Sequence, residues 1–77
     1  MKDVNVYLYK MIIWVGLLIP NRKVIKFISA EEIDIVRDWV AEMLNGNALC
    51  IVDYKEKIRC VDRTNIRDIT VKQIKKL

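Results

Sequence analysis

The chain has 77 residues, of which 53% are apolar, with two cysteines, no histidine and a formal net charge of +4. A chain of this length allows one domain, residues 1–77, with a core so small that a staple or a second subunit usually supports it. Two cysteines are too few for a disulfide scaffold, and without imidazole no four-ligand Cys/His zinc site can be built, so neither metal nor cofactor is expected.

Taken in chain order, Val4–Tyr9 alternates: Val4, Val6 and Leu8 lie on one side, Asn5, Tyr7 and Tyr9 on the other. That is the period of a strand, read as an extension over residues 1–10. Met11–Ile19 is apolar at nearly every position and follows Lys2 and Lys10, which gives it the outline of a signal peptide. The small-residue cleavage pattern is missing, and the run is about half the ~20 apolar residues that a membrane helix needs. The sequence therefore predicts a buried strand, covered on both faces, in a cytoplasmic protein with no membrane partner. In it Met11, Ile13, Val15 and Leu17 point one way, and Ile12, Trp14 and Leu18 the other. Pro20–Lys23 supplies a turn, and Val24–Ile28 completes a hairpin.

Ser29 with Glu32 three residues on has the spacing of a capping box, and it opens a helix expected over Ala30–Asn45. Ile33, Val36, Val40 and Leu44 form its core stripe, with Ile35 and Trp39 on a neighbouring face. Gly46 is expected to end the helix in the left-handed conformation. Ala48–Val52 and Lys57–Val61 read as a second hairpin. If Lys55–Glu56 is a two-residue turn, Cys50 and Cys60 fall on opposite faces and no bond joins them, leaving two small buried hydrophobes in a reducing compartment. Ile66–Val71 suggests a short last strand, and residues 72–77 a loose basic tail. The fold class is α+β: an antiparallel sheet from two β-hairpins flanking a single α-helix, ββαββ over residues 11–71, with the extra N-terminal strand.

Asn21–Phe27 at a polar loop, Ser29–Glu32, Asn45-Gly46 and the phrase Asn65-Ile-Arg-Asp-Ile69 together resemble small ββαββ accessory proteins of phages and prophages of Gram-positive bacteria. The likeness covers residues 11 to about 71 and contains no catalytic motif. It implies an accessory role in a mobile element, and no functional residue is carried over from it.

For function, the absences come first. Without His the commonest general base is missing, Ser29 is accounted for as a helix cap, and Gly16 and Gly46 cannot make a phosphate loop, so the chain is expected not to be an enzyme. What remains is binding. The doubly apolar first strand predicts a homo-oligomer, with a dimer favoured, through its face or edge around Ile12, Trp14 and Leu18, with Tyr7 and Tyr9. Trp39 reads first as a core-edge residue covering the sheet margin; the functional reading makes Ile35 and Trp39, rimmed by Asp38 and Glu42, a candidate patch for a basic protein partner. The sequence thus suggests an interaction protein that binds and blocks or sequesters a host factor. The alternative is a module that binds nucleic acid, or a nucleotide-like ligand, through the basic C-terminal third, with Lys57, Arg59, Arg63 and Arg67 on the phosphates.

Overall fold

The computed structural model describes residues 5–16 and 18–77. The expected placements of Val4 and Leu17 fall outside them. Strand β1 runs unbroken from Tyr7 to Val15, so the alternating extension and the apolar run are one strand and not two. Alternation continues through Lys10: Tyr9, Met11, Ile13 and Val15 are buried, while Leu8, Lys10, Ile12 and Trp14 lie on the opposite face. β1 is flanked by two antiparallel partners, β2 (Asn21–Ser29) and β5 (Ile66–Lys76), in the order β2-β1-β5. Between β2 and β5 the chain forms one helix, α1 (Ile33–Leu44), and a separate two-stranded sheet of β3 (Ala48–Val52) and β4 (Ile58–Asp62). The α+β class stands, but among the described residues five strands in two antiparallel sheets replace the single ββαββ sheet.

Several local expectations change, each for a physical reason. β5 continues to Lys76, because Tyr7, Leu8 and Tyr9 offer pairing partners to the segment expected as a loose tail. The capping box does not form. The Ser29 hydroxyl accepts from the Glu31 N–H at 3.1 Å, and the helix starts later, at a Glu32 cap without a side-chain hydrogen bond. At the other end the N–H groups of Asn45 and Gly46 donate to Glu42 and Met43 at 3.0 Å. That tightened last turn removes the need for a left-handed Gly46. Gly16 is the glycine whose freedom matters: its φ is +99°, and a Cβ there would stand 2.6 Å from the Ile19 carbonyl oxygen. It ends β1 and lets the chain turn back toward β2.

The core lies between α1 and the inward faces of both sheets. Val36 and Val40 pack with Tyr9, Met11 and Ile13 of β1, Phe27 of β2, Leu49 and Ile51 of β3, Val61 of β4 and Val71 of β5. Ile33 and Leu44, expected to be buried, are only half-buried at the two helix ends. An aromatic chain runs through this core: Tyr9 stacks on Phe27 at 5.4 Å between ring centroids, and Phe27 meets Trp39 edge-on at 5.7 Å. The Tyr9 hydroxyl donates to the Glu31 carbonyl, which ties β1 to the segment before the helix.

The second hairpin corrects the cysteine reading. Val52 pairs with Ile58, so the connection spans residues 53–57 and not two residues. Asp53 organises it. Its Oδ1 accepts from the N–H groups of Lys55 and Lys57, both at 2.9 Å, and its Oδ2 from Arg59 Nε at 3.1 Å. This register sets Cys50 directly opposite Cys60, with Cα atoms 4.1 Å apart, and the two are joined by a disulfide. The bond removes the argument for a reducing compartment that rested on two free thiols. Closing so short a loop stabilises a chain by roughly 2–3 kcal/mol through the unfolded state. Reduction should therefore lower the melting temperature by roughly 10–20 °C for a domain of this size. Melts with and without reductant, followed by circular dichroism, check this; coincident curves contradict it.

Candidate nucleic-acid interface

One face of the three-stranded sheet is spent on the core. The other has no element packed over it among the described residues, and its composition is unusual. The register sets Lys10 opposite Lys26 of β2 on one side and opposite Lys72 of β5 on the other. Three lysines thus form a row straight across the sheet. The row toward Val15 holds Val24, Ile12 and Thr70, and the next holds Arg22, Trp14 and Asp68. On the opposite side lie Ile28, Leu8 and Lys75. Among these open-face positions Asp68 is the one acid. The Arg22 guanidinium sits 6.0 Å from the centre of the Trp14 ring, which is 39% exposed.

Two shallow recesses bound this face. At the β2 margin Val24 and Lys26 meet Tyr54, Lys55 and Arg59 of the second hairpin, anchored by the Tyr54 N–H donating to the Lys26 carbonyl at 2.8 Å. At the far end Trp14 shares a recess with Pro20, Arg67 and Asp68. The acids Asp34, Asp38 and Glu42 are exposed on α1, which packs against the opposite face of the sheet, and Glu31 is exposed in the segment just before it. Charge is therefore separated by face.

The residues singled out in the sequence are distributed as follows. Ile12 and Trp14 are on the open face, but Tyr9 is fully buried inside its own chain, Tyr7 packs against the core, and Leu18 is exposed in the β1–β2 connection. They do not form one surface. Ile35, Asp38 and Glu42 are exposed on α1, whereas the Trp39 ring turns inward onto Phe27. Lys57 and Arg59 stand at the tip of the second hairpin, and Arg59 is engaged by Asp53. Arg63 and Arg67 lie together in a cleft with Leu44, Ile66 and Ile69. The four bases expected to act together are thus split between the second hairpin and the start of β5, with Arg59 and Arg67 at opposite margins of the open face and Lys57 and Arg63 away from it. The Asp53 carboxyl is held below its usual range chiefly by the Lys57 N–H, with help from Arg59 and the Lys55 N–H, and against the upward push of burial. That is a turn-building role.

The lysine row was out of reach of the sequence because it joins residues far apart in the chain. The signal that could have found it was the alternation itself, carried through Lys10 instead of stopped there. No protein-family model matches the chain, and neither does any curated protein or solved structure.

Trp39 gives this arrangement a direct check. Removing a fully buried Trp costs about 3–5 kcal/mol, and a half-buried ring that lies edge-on to Phe27 should cost about 2 kcal/mol or more. Trp39→Ala should lower the unfolding free energy by that amount in a denaturant titration. An unchanged midpoint would return Trp39 to the surface as a free partner-binding anchor.

Proposed function

We propose that the open face of the β2-β1-β5 sheet binds single-stranded nucleic acid. The observation that carries this is the cross-strand row Lys26–Lys10–Lys72. Like charges directly opposite one another destabilise a sheet, and here three stand side by side on the central strand and both its neighbours. Their stems can lie along Leu8, Ile12, Val24 and Ile28 while the ammonium groups reach outward. A phosphate backbone laid across the row offsets the repulsion and releases counterions. The neighbouring apolar and aromatic side chains suit bases better than they suit a duplex surface. Trp14, with Arg22 beside its ring, offers a stacking platform of the kind that sequence-tolerant single-strand binders use, worth about 1–3 kcal/mol per base.

The other reading drawn from the sequence, an oligomeric accessory protein that captures a host factor, has less support. Its aromatic anchor is occupied by Phe27, and Asp38 and Glu42 remain as a solvated stripe. Catalysis has no part in the proposal.

The test is a titration with a short oligothymidylate, read by tryptophan fluorescence at several salt concentrations. Trp14 should be quenched, and Trp39, held against Phe27, should contribute a constant background. The slope of log affinity against log salt should be near −2, from about −0.7 for each of the three lysines. Lys10→Ala should bring that slope closer to zero by about 0.7, and Trp14→Leu should abolish the quench and weaken binding. Arg63→Ala should leave the slope unchanged. Absence of quenching, or a slope indifferent to Lys10, contradicts the proposal.

A further inference from the structure

The two margins of the three-stranded sheet differ. Beyond β2 lies the second hairpin, bonded to the Lys26 carbonyl through the Tyr54 N–H at 2.8 Å. Beyond β5 there is no strand among the described residues, although β5, with 11 residues, is the longest strand among them. Both edges of β1 are already taken, by β2 and β5, so the homo-oligomer expected around Trp14 cannot use them. Stacking two open faces would set one lysine row against another, with repulsion unrelieved in a dry interface. The free edge of β5 carries neither objection.

We infer that two copies of this chain join edge to edge through β5, antiparallel about a two-fold axis at Thr70, to make one continuous six-stranded sheet. Pairing with β1 is regular from Asp68 to Gln73 between two bulges, which leaves a straight segment able to add a strand. The Ile69 N–H donates to the Asp68 carboxylate at 2.9 Å, a bond that a backbone carbonyl of the second copy would replace on edge pairing, freeing Asp68 for Lys72. Ile69 and Val71 are two residues apart and therefore face the same edge.

Charge complementarity selects the register. With the axis at Thr70, Asp68 lies opposite Lys72 of the second copy, and the same pair recurs across the axis. Ile69 then faces Val71, and Thr70 faces Thr70, both favourable cross-strand pairings. One step in either direction loses this. An axis at Val71 sets Arg67 opposite Lys75, and an axis at Lys72 sets Lys72 against itself. An axis at Ile69 moves Asp68 opposite Thr70 and leaves Lys72 facing Ile66. On the helix side, a groove of about 320 Å³ lies between Arg37, Ala41 and Leu44 of α1 and Ile69–Val71 of β5.

The dimer does not depend on nucleic-acid binding, and its test uses none. Sedimentation of the oxidised full chain at tens of micromolar should give twice the chain mass. Asp68→Lys and Lys72→Asp should each weaken the dimer at least roughly tenfold, because each sets like charges opposite one another. The double variant D68K/K72D should restore it, since the exchange is symmetric. All four positions in the two copies are solvent-facing, so circular dichroism should show the fold intact in every variant. Thr70→Cys should form a covalent dimer under mild oxidation. A monomeric wild type overturns the inference. So does a single variant that still dimerises, or a double variant that stays monomeric while folded.

Discussion

A strand hydrogen-bonded along both edges has only its two faces left to bury, and β1 is rich in apolar residues on both. The rest of the structure follows from that constraint. One helix can cover one face, and α1 does so with Val36 and Val40 against Tyr9, Met11 and Ile13. Burying such side chains contributes about 1.5–3 kcal/mol each, so the choice of inward face is strongly determined. A slip of one residue would exchange Met11 and Ile13 for Lys10 and Ile12 and place an ammonium group in the core. The open face is what remains: Leu8, Ile12 and Trp14 too apolar for a purely solvated surface, and Lys10 too charged for a hidden one.

The other elements serve this division. Phe27 links Tyr9 to Trp39, so the aromatic residues that β1, β2 and α1 contribute lock the helix onto one side of the sheet. The second hairpin extends the core laterally with Leu49, Ile51 and Val61 and covers the margin of β2. It is held by the Asp53 turn at one end and the Cys50–Cys60 bond within it. With acids on the helix and bases across the sheet, the molecule has two sides of opposite sign. The proposed polyanion would meet the basic side, and the proposed second copy would pair along β5.

Much of this could be read from the residues. The helix and its buried pair Val36 and Val40, the second hairpin, the class of fold and the two-sided apolar character of residues 11–15 all follow from local period. What could not be read depended on pairing between distant segments. Lys10 interrupts a hydrophobic run and looks like a boundary until β2 and β5 place Lys26 and Lys72 beside it. Cys50 and Cys60 change faces with the length of one turn, and Asp53, an ordinary turn residue by composition, fixes that length through its bonds to Lys55, Lys57 and Arg59. Residues 73–76 lack strand character of their own and become strand because β1 offers them an unpaired edge. The sheet margin, decisive for self-association, depends on strand order, which local period does not encode.

The central claim is that β1 divides the molecule into a core side and a polyanion-binding side. The most direct measurement is a map of backbone and side-chain nuclear magnetic resonance shifts during addition of a short single-stranded oligonucleotide. The account predicts perturbations confined to Lys10, Ile12, Trp14, Arg22, Lys26 and Lys72, with α1 and the second hairpin's outer face undisturbed. Shifts centred on Lys57, Arg59 and Arg63, or none on the lysine row at saturating oligonucleotide, would contradict it.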